Sequence, residues 1–308
     1  MSSASVKSGC IIAGAAETDR LGKLPDHSTL QLHIEGALNA VADAGLTLRD
    51  IDGIATVSAP GPVQVAHALG ITPDWIDGTG VGGTSFLLHV RHAAAAIRAG
   101  YAKTILITHG ESGRSRVGAS RWRMDASSPP GQFEAPYGTF GPTTTFTIPL
   151  LRYMKDYGLT HEQLAYVAVA QRRWAAKNPR AAFRDPITVE DVLASRMVAY
   201  PFHLLECCLV TDGGGALIVT SADRAAEFPK PAVHVLGTGE SSETPMISQM
   251  ADFTHTGMYG MFAIQEGVRQ LRGEAAAQLD SPEISVILGN GGMFATSGVL
   301  VLGRQPRP

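Results

Sequence analysis

The sequence of 308 residues contains only three cysteines, Cys10, Cys207 and Cys208, whose spacing fits neither a disulfide framework nor a zinc site. No run of about 18 apolar residues suggests a membrane span, and the first residues turn apolar too late and too briefly for a signal peptide. A formal charge of -3 supplies no basic field for nucleic acid or an anionic membrane surface. We therefore expect a cytoplasmic protein that binds neither nucleic acid nor membrane.

Short β-branched apolar runs alternate with alanine-rich stretches, a pattern typical of an α/β fold whose strands are buried on both faces. The longer helices are predicted at 29–44, 84–100, 145–157 and 161–177, with Ser28 and Thr160 as N-caps. Strands are predicted at 9–15, 51–57, 104–108, 216–220, 232–237, 284–288 and 297–302.

A region rich in Gly, Pro, Ser and Arg interrupts this pattern and indicates a long excursion from the core. The two units around it both contain glycines before an apolar strand, "DGGGALIVTS" and "GNGGMFATSGVLVLG", which suggests a duplicated fold. The predicted domains are an N-terminal half (1–112 and 201–225), an inserted loop domain (113–200) and a C-terminal half (230–308).

The stretch "GVGGTSFLLH" leads directly into a helix that is apolar nearly all round, with Gly83 just before its start. First-turn amides have no partner within the helix, so they can hold a thioester oxygen or another developing negative charge. The alternative is that these glycines only allow a tight entry into the helix.

His255 and Tyr259 lie four residues apart on a glycine-rich approach to the last helix. An imidazole and a phenol can act as general base and general acid when burial and partners tune their pKa values. Taken alone, such a pair is more often packing at a helix start.

Arg114, Arg116, Arg121 and Arg123 form a basic cluster in the inserted region. Guanidinium groups suit the phosphates of coenzyme A, although a solvated loop with scattered charge explains the cluster equally well.

Four blocks of the chain resemble the thiolase superfamily, and within it the lipid-transfer-protein branch that includes the thiolase domain of sterol carrier protein X. They are "VGGTSFLLHVRHAAAAIRAGYAKTILITHGES", the segment from "HEQLAYVAVAQRRWAAKNP" to "DGGGALIVTSADRA", "HTGMYGMFAIQEGVRQLRG" and "GNGGMFATSGVLVLGR". The resemblance implies two similar halves packed as a five-layer αβαβα sandwich, an inserted loop domain and a homodimer.

The resemblance also implies an unusual active site. Thiolases carry a nucleophilic cysteine at the head of the buried helix, where this chain has Gly83, and a second one in the final glycine loop, where it has Gly291 and Gly292. Without a thiol, acyl transfer has no covalent carrier. A branch similar to this chain, with no cysteine and with a tyrosine in the histidine loop, comprises the steroid side-chain-cleaving aldolases.

Membership of that branch implies retro-aldol cleavage of a β-hydroxyacyl-CoA to a ketone and a shorter acyl-CoA. Tyr259 would act as the acid/base group, His255 would orient or polarise the thioester, and amides near Gly83 and Gly291 would hold its oxygen. No metal and no cofactor beyond the coenzyme A of the substrate is expected. A small OB-fold subunit of the DUF35 type is the implied partner.

Two other functions stay open. One is a degenerate thiolase or acyltransferase, with Cys207 or Cys208 as the only sulfur candidates; the other is a non-catalytic subunit that binds acyl-CoA or lipid.

The second half has too few predicted elements to mirror the first, and the family pattern indicates a missing segment between Thr254 and His255. The sequence either omits a disordered stretch or is truncated. Omission is favoured, because deleting a central strand would expose a sheet edge and a large apolar area, at about 25 cal/mol per Å². An intact mass of 32.4 kDa would contradict it.

Overall fold

A computed structural model of the chain describes residues 9–57, 59–119, 124–139, 141–249, 260–292 and 295–306. Four of the predicted site residues lie outside these ranges: His255, Tyr259, Arg121 and Arg123. The predicted junction between Thr254 and His255 also lies outside them.

Eight strands form one mixed sheet in the order β3-β2-β4-β7-β1-β8-β10-β9, and β5 and β6 form a separate hairpin. The strands are β1 (Cys10–Glu17), β2 (Gly53–Thr56), β3 (Trp75–Asp77), β4 (Thr104–Ser112), β5 (Met197–Ala199), β6 (Phe202–His203), β7 (Asp212–Ser221), β8 (Val233–Ser242), β9 (Ile284–Gly291) and β10 (Thr296–Gly303).

The described α-helices are α1 (Thr29–Asp43), α2 (Pro62–Leu69), α3 (Ser85–Ala99), α4 (Pro129–Phe133), α5 (Pro142–Thr145), α6 (Thr147–Tyr157), α7 (His161–Ala175), α8 (Val189–Ala194) and α9 (Gly260–Arg272). Ser28 and Thr160 cap α1 and α7 with complete capping boxes, so both predicted N-caps are confirmed. None of the helices in the described ranges combines the length and apolar character needed to span a bilayer.

Helices cover the two faces of the sheet differently. α1 and α2 pack on one face of the first-half strands around Ile54, Leu106 and Ile218. α3 and α9 share the other core, which includes Ile105 and Leu300 from the two halves. Because strands of both halves contact α3, this helix lies at the centre of the fold.

The second half repeats part of the first. β1, β7 and β4 are neighbours in antiparallel pairs, and β8, β10 and β9 follow the same pattern; α3 precedes β4 as α9 precedes β9. The predicted duplication therefore has a structural basis. In the first half, residues 18–84 between the equivalent elements hold α1, β2, α2 and β3, whereas 243–259 is far shorter.

Four of the five expected layers are present in the described residues: α1 with α2, the first-half strands, α3 with α9, and the second-half strands. The outer helix layer of the second half is not among these residues. The fold belongs to the predicted α/β class. The first-half and second-half strands, counted here as two layers, form one continuous sheet because β1 pairs with β8.

The region 113–200 departs from the sheet as a mostly helical excursion that contains α4 to α8. Its small core joins Ala165 and Val169 of α7 to Val192 of α8. The guanidinium of Arg180 ties it to the first half through the carboxylate of Glu17, at 3.1 Å.

Some elements differ from the prediction. The sequence pattern did not predict the short elements α2 and β3. The glycines of "DGGG" lie inside β7 rather than before it, whereas those of "GNGG" precede β10 as predicted, and the first two of them lie in β9. Close packing explains the glycines of β7, because a Cβ on Gly214 would lie 3.1 Å from the carbonyl oxygen of Leu32 in α1, and a Cβ on Gly36 of α1 would lie 3.0 Å from the Cα of Gly215. Glycine thus lets α1 approach β7.

Candidate active site

The head of α3 is a compact glycine turn held by its own side chains. Gly82 adopts a left-handed conformation with φ of 69°. The Ser85 hydroxyl donates to the carbonyl of Gly82 at 2.6 Å and accepts from the amide of Val81 at 2.9 Å. Thr84 donates its hydroxyl to the carbonyl of Gly289 at 3.0 Å, which ties α3 to β9.

Three glycine segments meet at this helix head. A Cβ on Gly82 would lie 2.7 Å from the amide nitrogen of Gly292, and one on Gly291 would overlap the carbonyl oxygen of Val81. A Cβ on Gly260, the first residue of α9, would overlap the carbonyl oxygen of Gly83. Backbone from both halves therefore approaches closely here, which only glycine permits.

This junction brings together the predicted pocket residues Gly83, Gly291 and Gly292. The end of "GNGG" is strand rather than loop up to Gly291, and only Gly292, with φ of 59°, is in the turn. Tyr259 directly precedes Gly260 in the sequence, so the predicted acid/base stretch leads into the same junction. The roles assigned to His255 and Tyr259 stay predictions.

A histidine pair, the buried His33 and the partly buried His109, lies beside the first turn of α3. The ring of His109, at the end of β4, is 4.9 Å from the ring of Phe86 and 6.4 Å from that of His33. Burial lowers the pKa of His109 to about 4 and that of His33 to about 3, so both imidazoles are neutral near pH 7. His33 is fixed by the Thr108 hydroxyl at 2.9 Å.

Glu111 follows on the same strand, with its carboxylate 3.9 Å from Nε2 of His109. The side chain of Glu111 is 67% exposed, so desolvation of its carboxylate is only partial; with the negative charge of Asp212, it raises the pKa above the usual value. Sequence reasoning missed His109 and Glu111; the histidine and carboxylate at the end of the strand "TILITHGES" were the available signal.

Of the predicted arginine cluster, only Arg114 and Arg116 lie in the described residues, beside the buried carboxylate of Asp212. The amides of Arg114 and Ser115 donate to Oδ1 of Asp212 at 2.8 and 2.9 Å, while its Oδ2 accepts from the amide of Leu24 at 2.7 Å. Burial raises the pKa of Asp212, but these hydrogen bonds outweigh it and the pKa lies below its usual value. Arg114 and Arg116 are exposed, and within the described ranges neither forms an ion pair.

The three cysteines are free thiols in different surroundings. Burial raises the pKa of Cys10 to about 11, and its sulfur lies 4.0 Å from the carbonyl oxygen of Ala94 near the other end of α3. Burial also raises the pKa of Cys207, whose sulfur lies 3.4 Å from the carbonyl oxygen of His203. Cys208 is an exposed free thiol.

No group of three or more His, Cys, Asp or Glu side chains is arranged to hold a metal ion in the described ranges. The arrangement offers backbone amides, neutral imidazoles and the helix head, which suits stabilisation of an oxyanion more than attack by a nucleophile.

The chain is similar to thiolase-like proteins of known name. Residues 239–304 match the family model described as "Thiolase C-terminal domain-like". The chain is 37% identical over 241 residues to a steroid side-chain-cleaving aldolase of Thermomonospora curvata, covering 75% of this chain and 61% of that protein. It is 36% identical over 232 residues to the 17-hydroxy-3-oxo-4-pregnene-20-carboxyl-CoA lyase of Mycobacterium tuberculosis, covering 72% and 60%.

The solved structure of an Ltp2-ChsH2(DUF35) aldolase superposes with a TM-score of 0.86 at 26% identity, covering 97% of this chain and 98% of that one. A monomeric SCP2-thiolase-like protein from Mycobacterium smegmatis gives a TM-score of 0.78 at 19% identity, covering 98% and 78%. The chain spans about three fifths of the length of the aldolase of Thermomonospora curvata and of the lyase of Mycobacterium tuberculosis.

Proposed function

Since this chain has the thiolase-like fold of the sterol carrier protein X branch, we propose that it is a carbon–carbon lyase acting on coenzyme A thioesters. The proposed reaction is retro-aldol cleavage of a β-hydroxyacyl-CoA, of a steroid or related side chain, to a ketone and a shorter acyl-CoA. Similarity to an aldolase and a lyase, at 37% and 36% identity, supports this reaction class.

One observation carries the proposal: the head of the central helix has backbone where thiolases have a nucleophile. Gly83 touches Gly260 there, and no thiol of the chain makes a described contact with this junction. A covalent acyl carrier is therefore lacking at the place where acyl transfer needs one. Retro-aldol cleavage needs none.

Retro-aldol cleavage needs only proton transfers and stabilisation of an enolate, and side chains and backbone amides of this chain can supply both. A base takes the β-hydroxyl proton, the bond between the α and β carbons breaks, and the ketone forms while the electron pair of that bond enters the thioester as an enolate. Protonation of the α carbon then yields the shorter acyl-CoA. We assign acid/base transfer to Tyr259, orientation or polarisation of the thioester to His255, and stabilisation of the enolate oxygen to amides near Gly83 and Gly291.

Binding partners follow from the same proposal. The exposed Arg114 and Arg116, with Arg121 and Arg123, are proposed to hold the phosphates of coenzyme A, and no other cofactor is required. A homodimer and a small OB-fold subunit of the DUF35 type are proposed as the assembly; the superposed aldolase is an Ltp2-ChsH2(DUF35) protein, which supports the latter. The three free cysteines are compatible with a reducing cytoplasm.

The test is a product assay on the full chain, with and without a DUF35-type subunit, using a β-hydroxyacyl-CoA with a steroid side chain. We expect equimolar ketone and shorter acyl-CoA. The Tyr259→Phe variant should lose at least about 100-fold in kcat, the usual range for a lost acid/base group. Tyr137→Phe is the matched control, because this phenol is 87% exposed in the inserted region.

Each alternative outcome has a distinct signature. An acylated enzyme, seen as a mass increase after incubation with substrate, would replace the lyase by an acyltransferase. Binding of acyl-CoA without any product, in the presence of the partner, would instead identify a non-catalytic subunit. Near wild-type cleavage by Tyr259→Phe would refute the role of the tyrosine while leaving the reaction intact.

A further inference from the structure

The approach segment, residues 77–82, connects the end of β3 to the glycine turn at the head of α3. Three side chains on one stripe of α3, at positions i, i+4 and i+7, hold this segment: Ser85, His89 and His92. Ser85 binds the glycine turn, and Nε2 of His89 donates to the carbonyl of Thr79 at 3.0 Å. The approach segment therefore runs back along the first two turns of the helix.

The carboxylate of Asp77 lies at the far end of the approach segment. Its Oδ1 accepts from the amide and the hydroxyl of Thr79 at 2.8 and 2.7 Å, and its Oδ2 accepts from Nδ1 of His92 at 2.7 Å. Both oxygens of a side chain that is only 12% exposed are thus in use. His92 is the contact that ties this end of the segment to α3.

The other ring nitrogen of His92 faces the second half of the chain. Nε2 lies 3.3 Å from Oε2 of Glu240 on β8. Next to it, Arg91 donates from Nη1 to the carbonyl of Thr238 at 3.2 Å, and its Nε lies 3.6 Å from Oε1 of Glu240. Because Asp77 belongs to the first half and Glu240 to the second, one imidazole of α3 joins both halves.

A carboxylate at each ring nitrogen makes the contacts of His92 depend on its charge. An imidazolium has two N–H donors, whereas a neutral imidazole has one donor and one acceptor lone pair. Neutral His92 would therefore turn a lone pair towards one of the two carboxylates. His89 differs, because Nδ1 of this ring has no hydrogen-bond partner in the described structure and burial lowers its pKa to about 4. One N–H is enough for His89.

The charged groups around His92 come from three elements. β3 contributes Asp77, β8 contributes Glu240, and α3 itself contributes Arg91 and His89. The hydrogen bond to Asp77 is the main reason that the pKa of His92 lies above its ordinary value of 6.5; burial opposes it, and the charges of Asp77 and Glu240 add to it. Since the folded pKa is raised, this stabilisation is present below the unfolded pKa and is lost as pH rises through the folded pKa.

We propose that His92 is a positioning residue, which as an imidazolium holds the approach segment against α3 and so orders the backbone amides that precede the helix. The amides near Gly83 that are proposed to stabilise the enolate oxygen follow this segment directly, so the effect on catalysis rests on the proposed lyase function. A donor to the enolate acts in the transition state, so its displacement should lower kcat more than it changes KM.

A histidine titration followed by NMR tests the charge of His92, and the signal that disappears in His92→Gln identifies the ring. The pKa should lie above 6.5 in the wild-type chain. It should fall by at least about 0.5 in Glu240→Gln, because the amide can donate to the lone pair of a neutral ring. A wild-type pKa at or below 6.5, or a pKa that is unchanged in Glu240→Gln, would overturn the inference.

Hydrogen exchange at a single pH near 7 tests the positioning without any substrate. A peptide covering 77–84 contains the amides of Thr79 and Val81, which donate to side-chain oxygens of the network. His92→Gln should speed its exchange at least about five-fold and leave peptides elsewhere unchanged, which also shows that the variant folds. His67→Gln, at an exposed histidine of α2, is the matched control and should change nothing. Unchanged exchange of 77–84 in His92→Gln contradicts the proposed role.

The product assay then measures the consequence for catalysis. His92→Gln should lower kcat about ten-fold near pH 7 with KM within about two-fold of the wild type. The wild-type kcat should also fall as pH rises through the pKa measured for His92, and this fall should be absent in His92→Gln. A variant with wild-type kcat, or with the same alkaline fall, would remove His92 from catalysis. A wild-type chain without lyase activity would refute the proposed function alone, because the titration and the exchange still decide whether His92 holds the segment.

Discussion

The carboxylate of Asp43, at the end of α1, and the guanidinium of Arg272, at the end of α9, join the two halves in the interior. Nη1 of Arg272 donates to Oδ2 of Asp43 at 2.9 Å, and Nη2 donates to the carbonyl of Ala13 at the same distance. The side chain of Arg272 is only 1% exposed. Replacing Asp43 by asparagine removes the charge that compensates this buried cation.

The expected cost is about 3 kcal/mol, the lower end of the range for breaking a buried ion pair. The lower end applies because the Asp43→Asn side chain keeps one oxygen that can accept a hydrogen bond. Arg272 also retains the carbonyls of Ala13 and Pro231 as hydrogen-bond acceptors. Asp156→Asn is the control, because Asp156 pairs with Arg152 on the surface with side chains 49% and 65% exposed. Its cost should stay within about 0.5 kcal/mol.

The assay is urea unfolding at equilibrium near pH 7 and at lower pH. Burial raises the pKa of Asp43, but hydrogen bonds from Lys230, the amide of Ala15 and Arg272 outweigh burial, so its folded pKa lies below the ordinary value of 3.8. The carboxylate thus stabilises the fold above its unfolded pKa, and this contribution is lost as pH falls through the folded pKa. The difference between wild type and Asp43→Asn should be constant from about pH 7 to 5 and shrink only below about 3.8.

Equal costs for Asp43→Asn and Asp156→Asn would refute the reasoning, since burial would then make no difference. The double variant Asp43→Asn, Arg272→Met provides a second check. Removing the uncompensated cation should recover part of the lost stability relative to Asp43→Asn alone. A further loss would show that the other hydrogen bonds of Arg272 dominate.

Two further predictions concern the glycine junction and the thiols. Gly291→Ala should destabilise the chain by more than about 2 kcal/mol in the same unfolding assay, because its methyl would overlap the backbone of Val81; Gly78→Ala, whose nearest contacts are 3.8 Å away, should change stability by less than about 0.5 kcal/mol. In thiol labelling with an aromatic disulfide, the exposed Cys208 should react first and the buried Cys10 only on unfolding. Labelled protein that keeps its lyase activity would support cleavage without a thiol, and complete loss would favour the acyltransferase.

Local signals in the sequence predicted much of the fold. Apolar periodicity and capping side chains located α1, α3 and α7, since these depend on residues close together in the chain. The glycines of β7 were assigned to the approach to the strand, because glycine usually interrupts strands. Only the tertiary structure shows that α1 packs so closely against β7 that larger side chains would not fit at these glycines.

Some residues of the candidate site could be predicted from the sequence, and others only from the tertiary structure. The sequence identified the glycines at the head of α3 and near the end of β9, and its resemblance to the thiolases implied that Gly83 stands where their nucleophilic thiol would be. It did not identify His109, because a lone histidine at a strand end carries no sign of its neighbours. Burial beside Phe86 and His33 depends on contacts between elements far apart in sequence.

The sequence by itself indicated the α/β class and the duplication, because periodicity and residue identity are properties of the chain, and its resemblance to the thiolases implied that a nucleophile is missing. The tertiary structure decided that Gly83, Gly260 and Gly291 meet at one junction and that Arg272 is buried beside Asp43. It also decided that His92 of α3 lies between Asp77 and Glu240, which come from different halves. These features arise from the order of strands in the sheet, which brings distant segments into contact and which no local pattern encodes.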